Sequence, residues 1–408
     1  MSKNSCSLQH QSLSIGEKSL PFFIVAIHFS TSITLILSIL IALLWLVSGS
    51  IKDTNHIIKQ IPATFYALLL LGSLTLSVTY SAAPFSQAFA TLSKYRTLLL
   101  PLILIALLTS EKQRRYCEKF LLTSLIAALI FSFVDYFNLL PHNFVDHFLK
   151  SRITHSIFMA FLGFFCLHRL YENGQHRALW TIVLILVGLN LFLATDGRTG
   201  QLTFLLLAVL FFLQAFSFRT ALILGIATLT AFVVFLFFSP HAGRFFEGIN
   251  ESINFYHNDP NVDETSMGLR LGWWRDTLTI IWQSPWLGEG VGGLPYRVQQ
   301  VFPGRSALVN PHNEYLLMTS QLGISGLLLF VAFLASILRR ATSLPQTQRW
   351  LLQGIWLNLL ISCVFNSSIF DHTEGHWFMT LIALYSAPLL TSQTCLASVS
   401  SPKTNPNI

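Results

Sequence analysis

Long apolar runs dominate the sequence and constrain its fold more than any other feature. Of the 408 residues, 53% are hydrophobic and 11% are charged, about half the charged fraction typical of a soluble domain. A bilayer core about 30 Å thick takes about 20 apolar residues per helix. Runs of this kind occur at residues 22–48, 62–80, 96–110, 120–140, 153–170, 178–195, 199–217, 219–238, 315–338, 350–370 and 376–392. The sequence therefore predicts an all-α polytopic membrane protein.

The first of these runs is longer than one membrane-spanning helix needs. Within residues 22–48, the stretch from His28 to Ser32 lies near the middle and predicts two short helices that meet in a tight turn. The chain then has about 12 transmembrane helices, or about 11 if residues 22–48 form a single span. We favour 12, because this number places the N-terminus, Lys52 and Lys59 in the cytoplasm, where basic connectors are enriched.

The long polar interruption from Ser239 to Glu314 is the large loop between the apolar runs. Arg339, Arg340 and Arg349 form the densest basic connector near it, and such connectors mark the cytoplasmic side. The loop is therefore predicted to face the outer side. The predicted organisation is N-terminal transmembrane helices at 1–238, the loop at 239–314, C-terminal transmembrane helices at 315–392 and a disordered cytoplasmic tail at 393–408.

The sequence lacks the spacings that commonly hold a metal or a nucleotide. Its five cysteines are scattered and form no CxxC pair, and neither HExxH nor GxxxxGK[ST] occurs. The glycine-rich stretch Gly288–Gly293 has no strand and helix around it and is predicted to be a turn. We therefore expect no metal and no cofactor. Much of the net charge of +7 belongs to short connectors that orient helices, so no nucleic-acid partner is expected.

Arginines are the most informative residues of the loop, which has five of them and no lysine. The planar guanidinium group suits paired hydrogen bonds to phosphate or carboxylate. Residues 266–283 are predicted to form a helix with an aromatic apolar side, capped at Thr265 or the residue after it. Arg270 lies on this helix, near Trp274 and Arg275, and is the loop arginine best placed for function. An arginine that only forms a salt bridge or covers apolar surface is an equal alternative.

Three further residues lie at the predicted outer face. His312 follows an Asn-Pro pair that fits a helix N-cap and first helical position, so it is predicted in the first turn of the next helix. A neutral imidazole is a competent general base, although an isolated histidine there is more often a surface or capping residue. Arg198 lies between two apolar runs, where a charge is costly unless it pairs, for example with Asp196, or serves a site. Asp371 lies in a short connector, where a solvated turn is its more common role.

Three motifs, in this order and on one predicted membrane face, resemble the O-antigen ligase and polymerase superfamily. They are Gly197-Arg198-Thr199-Gly200, the segment from Arg270 to Trp274 leading to Pro285–Gly290, and Pro311–Leu316 followed by Gln321–Gly326. The resemblance covers residues 180–340. The chain length and the single large loop are similar to those of the lipopolysaccharide O-antigen ligases of Gram-negative bacteria.

The resemblance implies a glycosyltransferase of the GT-C type in the bacterial inner membrane. Such an enzyme moves a glycan from undecaprenyl diphosphate to the sugar core of lipid A on the periplasmic face, with inversion and without metal or nucleotide. The family's essential arginines match Arg198 and Arg270, its essential histidine matches His312, and a late periplasmic aspartate matches Asp371 less well. His312 would accept the proton of the acceptor hydroxyl while the two arginines stabilise the diphosphate. The further substrate contacts expected are Asp371, Trp274 and Arg275.

Three other functions stay open at this point. An O-antigen polymerase uses the same donor, and a protein O-oligosaccharyltransferase is a further possibility, although such enzymes usually have more chain after the last helices. A transporter of lipid-linked sugars would also explain the helices and the arginines. It would place its charges near the bilayer midplane, whereas Arg198, Arg270 and His312 are predicted at the outer face.

Overall fold

The computed structural model describes residues 3–140, 150–172, 176–195, 197–239, 242–257, 264–303 and 310–390. The predicted tail at 393–408 lies outside these residues, as do Asp196 and Arg305. The helices are α1 (Lys3–Phe29), α2 (Thr31–Val47), α3 (Thr54–Gln60), α4 (Pro62–Ser77), α5 (Phe85–Lys94), α6 (Leu100–Leu107), α7 (Glu111–Tyr136), α8 (Arg152–Tyr171), α9 (Arg177–Leu189), α10 (Arg198–Ala215), α11 (Phe218–Phe238), α12 (Gly243–Tyr256), α13 (Ser266–Gln283), α14 (Leu294–Val301), α15 (Glu314–Ile337), α16 (Gln346–Phe365) and α17 (His372–Ser386). The described residues contain no strand, and the predicted all-α polytopic membrane protein is confirmed.

Fewer helices meet the requirements of a membrane span than the 12 predicted. Within the described ranges, eight helical segments are long and apolar enough to cross a bilayer, or nine if the bent pair Thr31–Val47 and Ser50–Gln60 forms one span. Helices α16 and α17 occupy the two last predicted positions, but α17 has only 15 residues and α16 contains several polar side chains. Both are largely covered by other helices, so they need little apolar surface toward lipid.

The first apolar run is divided as predicted. Helix α1 ends at Phe29, and the Ser30 side chain accepts a hydrogen bond from the Ile33 N–H (3.3 Å) to cap α2. Helices α1 and α2 then pack against each other. Helix α1 already begins at Lys3, however, well before the predicted start, because the preceding polar residues continue the same helix.

Helix α8 lies at the centre of the bundle. Its Phe158 and Phe161 pack against the buried Trp377 of α17, with ring centroids 4.8 Å and 5.6 Å apart. Helix α10 approaches α8 so closely that a Cβ on Gly200 would lie 2.2 Å from the Ser156 Cβ. This contact fixes the start of α10, and with it Arg198, beside the start of α8.

The glycine-rich turn of the loop is inserted into a break in α15. The break is at Gly323, whose φ of 67° is readily adopted by glycine and strained for other residues. At this break, the carbonyls of Ser320 and Gln321 accept hydrogen bonds from the loop. Their donors are the N–H groups of Glu289 (2.8 Å) and Gly290 (3.0 Å). Backbone groups that lipid cannot satisfy are therefore paired within the protein. The predicted turn is confirmed, and it joins the loop firmly to the helices.

Hydrogen bonds between helix ends show which ends of the helices lie together. Thr154 near the start of α8 donates to Glu374 near the start of α17 (2.8 Å), and His312 before α15 contacts Asn366 after α16 (3.0 Å). Arg340, after α15, instead contacts the end of α3. The basic connector therefore lies away from His312, as the predicted alternation of helices requires. That the His312 end faces the periplasm is still a prediction.

Candidate functional site

Helix α13 carries much of the candidate site. It spans Ser266–Gln283, as predicted, because the Thr265 side chain accepts a hydrogen bond from the Gly268 N–H (3.2 Å) and caps it. Glu251 of α12 also accepts from the N–H of Met267 (2.9 Å), which ties the two loop helices together. Residues three and four apart share one face of a helix. Arg270 therefore lies on the same side of α13 as Trp273 and Trp274.

His312 lies before the helix rather than inside its first turn, so the predicted position is wrong. The cap of α15 is Asn313, whose side chain accepts from the Leu316 N–H (3.0 Å). His312 has a φ of 50°, in the left-handed region that is strained for most residues. The Asn310 side chain stabilises this turn by accepting from the His312 N–H (2.9 Å). The Asn-Pro pair thus forms a turn instead of a helix start.

Two neighbouring tryptophans of α13 hold the histidine segment. The Trp273 ring stacks on the His312 ring, with centroids 5.4 Å apart and an interplanar angle of 26°. The Trp274 Nε1–H donates to the Pro311 carbonyl (2.9 Å). The half-buried imidazole is therefore fixed from one side by α13. Trp274, predicted as a substrate contact, is engaged in holding the backbone next to the histidine.

Arg198 is placed by the end of α9 and by α12. Helix α9 ends in a π-helical turn over Asn190–Ala194, a feature that is frequent at functional sites. Gln201 donates to the Leu191 carbonyl in this turn (2.6 Å) and so ties it to the start of α10. The Arg198 Nη1 donates to the Arg244 carbonyl of α12 (3.1 Å), and its guanidinium lies directly over Gly248.

Arg198 and Arg270 lie close enough to interact electrostatically. Burial lowers the pKa of the Arg270 guanidinium, and the positive charge of Arg198 lowers it further. Among the described residues, which omit Asp196, neither arginine forms an ion pair with a carboxylate. Two partly buried cations without such a partner repel each other and favour a bound anion. This pair of guanidiniums is suited to a phosphate or diphosphate group.

The other predicted site residues have structural partners. Arg275 is exposed, lies 3.6 Å from the Asp276 carboxylate and faces the Phe255 ring, away from the histidine. Asp371 caps α17 by accepting from the N–H groups of Thr373 (2.9 Å) and Glu374 (3.0 Å). Asp371 also lies near Lys150. Burial lowers the pKa of the Lys150 amine, and the negative charge of Asp371 offsets part of this shift. The geometry therefore joins neither Arg275 nor Asp371 to the pair of arginines.

Two residues beside His312 were missed from the sequence. Asn366 contacts the His312 Nδ1 (3.0 Å) and also donates to both oxygens of Glu374 (2.9 and 3.0 Å). Glu374 is fully buried. The polar residues 366–368, which interrupt the end of the predicted run 350–370, gave a signal in the sequence that was not used. From the sequence alone, Glu374 cannot be distinguished from an acidic residue that only stabilises the first turn of a helix.

These groups support two chemical tasks at one place. The arginine pair can bind a doubly charged leaving group, and the histidine can accept a proton. The His312 Nε2 forms no hydrogen bond with any residue in the described ranges, so it is open to a ligand. Arg270 lies one helical turn from the tryptophan that stacks on this ring. The arrangement therefore fits group transfer with an anionic leaving group.

Comparison with known proteins agrees with the geometry. Residues 181–331 match the family model described as O-antigen ligase. No curated protein matches the chain significantly. The matched stretch includes Arg198, Arg270 and His312, and the superfamily expected from the three motifs is confirmed. Residues 181–331 are therefore similar to the O-antigen ligase family, and this similarity supports glycosyl transfer of the ligase or polymerase type in general terms.

Proposed function

We propose that the protein is an O-antigen ligase that transfers a glycan from undecaprenyl diphosphate to the lipid A-core on the periplasmic face of the inner membrane. The observation that carries this proposal is the arginine pair beside His312. Arg198 and Arg270 share one region of positive charge, and the ring of His312 is stacked on the same helix that bears Arg270. The family match supports a lipid-linked glycan as the donor.

The chemistry of the transfer requires both features. The acceptor hydroxyl oxygen forms a bond to the anomeric carbon while its proton moves to the His312 Nε2. The bond from the anomeric carbon to the diphosphate oxygen breaks, and its electron pair leaves with the diphosphate. Arg198 and Arg270 offset the growing negative charge, so the leaving group needs no general acid. Charge stabilisation by one such donor contributes about 10²–10³ in rate, and a general base contributes about 10²–10⁴.

The ends of several helices support the placement of this reaction. Arg198 starts α10, His312 precedes α15, and Asn366 follows α16. Basic residues 339–349 lie toward the opposite end, and this arrangement favours a periplasmic site under the rule that basic connectors stay in the cytoplasm. The exposed side chains of Trp282 and Trp286 suit a membrane interface, where both substrates would reach the site.

The test is the analysis of a deletion strain. We expect long O-chains to disappear from lipopolysaccharide while polymerised glycan accumulates on undecaprenyl diphosphate, because a ligase acts after polymerisation. The strain complemented with the wild-type chain is the control, and both surface lipopolysaccharide and the lipid-linked pool are measured. A core capped by a single repeat unit would assign the protein as a polymerase instead. Unchanged lipopolysaccharide would contradict both functions.

A further inference from the structure

A line of hydrogen bonds runs from His312 into the interior of the bundle. His312 Nδ1 lies 3.0 Å from Asn366 Oδ1, and Asn366 Nδ2 donates to the Glu374 carboxylate (2.9 and 3.0 Å). Thr154 of α8 also donates to this carboxylate (2.8 Å). Glu374 is 0% exposed and Asn366 is 8% exposed. The line therefore joins four elements of the fold and ends away from solvent.

The chemistry of these groups fixes the orientation of the Asn366 amide. The Asn366 Nδ2 lies within hydrogen-bond distance of both Glu374 oxygens, and one of these oxygens also accepts from Thr154. The amide therefore presents its NH₂ group to Glu374. Its carbonyl oxygen then faces His312, and a carbonyl oxygen only accepts hydrogen bonds. The His312 Nδ1 must therefore carry the proton in this contact, which leaves the Nε2 of the neutral ring unprotonated. A hydroxyl group at Nε2 could then give up its proton.

We propose that Asn366 and Glu374 are positioning residues that hold His312 in the tautomer needed for proton acceptance at Nε2. This inference rests on the proposed role of His312 as the base in glycosyl transfer. During the reaction the acceptor O–H bond breaks and an N–H bond forms at Nε2, while Nδ1 keeps its proton. The ring becomes an imidazolium ion, which the Asn366 oxygen stabilises by accepting a hydrogen bond from Nδ1. The imidazolium later returns the proton to water.

The packing around His312 explains why such a partner is needed. The Trp273 ring restrains the plane of the imidazole, but stacking does not distinguish its two nitrogen atoms. A free neutral imidazole populates both tautomers, and in one of them the proton occupies Nε2. Without the Asn366 oxygen, part of the protein would carry a ring that cannot accept the proton of the acceptor. The selection of tautomer therefore depends on residues that do not touch substrate.

The test is a double-mutant cycle on the purified full chain in liposomes, with lipid-linked glycan as donor and lipid A-core as acceptor. We expect Asn366→Ala to lower kcat by about 10- to 100-fold, the range found when a partner that orients a metal-bound histidine is removed, with the KM for the donor unchanged. In the His312→Ala background the same change should alter the residual rate by less than about 2-fold, because the group through which it acts is absent. A positioning residue differs from a structural one because its substitution no longer lowers the rate once His312 has been removed.

Asn358, on the helix that Asn366 caps, offers a matched control. It is 0% exposed, compared with 8% for Asn366, and its Nδ2 donates to the Ile157 carbonyl (3.2 Å), far along α16 from His312. Any effect of Asn358→Ala should be the same in both backgrounds, because it acts on packing alone. Thermal unfolding of every variant shows whether the protein is folded. If Asn366→Ala is unfolded, Glu374→Gln is the replacement, since it keeps the size of the side chain but lets the Asn366 amide take either orientation.

The outcomes separate this inference from the proposed function. If His312→Ala keeps a near-normal rate, the base role fails and the positioning role fails with it. If His312→Ala is slow but Asn366→Ala or Glu374→Gln lowers the rate equally in both backgrounds, the positioning role alone is overturned. If these variants lower the rate only when His312 is present, the inference is supported.

Discussion

Gly248→Ala is a single-methyl change that should move Arg198 without disturbing the fold. A Cβ at position 248 would lie 1.9 Å from the Arg198 Nη1 and 3.1 Å from its Cζ. Because an ordinary contact begins at 3.4 Å, the Nη1 must retreat by about 1.5 Å and give up its hydrogen bond to the Arg244 carbonyl. A displacement of about 1 Å in a group that positions substrate can cost about 10² in rate. We therefore expect the transfer rate to fall by about 10²-fold.

The stability of the Gly248→Ala protein should not fall. Alanine in a helix interior is favoured over glycine by about 0.5–1 kcal/mol, and the atom that must move is the end of a flexible side chain. The assay is transfer by purified protein in liposomes, together with Tm by thermal unfolding. Gly272→Ala on α13 is the control, because its Cβ would meet only the Phe255 ring at 3.9 Å. A Gly248→Ala protein with the wild-type rate would refute the role of Arg198 in its observed position.

Three further predictions concern charge geometry, the break in α15 and membrane topology. Arg270→Lys should keep a positive charge but lose the guanidinium fork. Its transfer rate should lie between that of the wild type and that of Arg270→Ala, which should be lower than the wild-type rate by about 10²–10³. A normal rate for the lysine variant would argue against paired hydrogen bonds. Gly323→Ala should lower the free energy of unfolding by about 1–3 kcal/mol or more, because residue 323 has a positive φ and a Cβ there would meet the loop backbone. The control Gly225→Ala should not lower it, since a Cβ at residue 225 meets nothing within 4 Å. Equal stability of the two variants would contradict the role of the break. A membrane-impermeant thiol reagent should label Asn250→Cys but not Thr342→Cys in cells with a permeabilised outer membrane, and labelling of Thr342→Cys alone would invert the topology.

Local chemistry made some elements predictable from sequence. The bounds of α13 were found because the Thr265 cap and the apolar pattern both lie within a few residues. Arg198 and His312 were assigned to one end of the bundle because alternate spans must return to the same side. The split of the first apolar run was visible in its polar centre, and Ser30 provides the cap there.

Features that depend on contacts far apart in sequence were not predictable in the same way. The Asn-Pro pair before His312 has the residue types of a helix start, but Ser367 donates to the Asn310 side chain (2.6 Å) and favours a turn there. The role of Asn366 depends on Glu374 and His312 from two other elements. The docking of the glycine-rich turn depends on the break at Gly323, which the apolar pattern of α15 does not reveal. Fewer helical segments than the 12 predicted spans are long and apolar enough to cross a bilayer by length and composition, because buried helices such as α16 and α17 can be short or polar.

Transfer and donor binding measured together on His312→Ala test the central claim most directly. The purified variant is placed in liposomes, and the rate of glycan transfer to lipid A-core and the binding of the lipid-linked donor are determined on the same preparation. The account predicts a loss of about 10²–10⁴ in transfer rate with donor binding close to that of wild type, because the arginine pair that binds the diphosphate is intact. Near-normal turnover by His312→Ala would contradict the account, since the histidine would then serve only to hold the turn before α15.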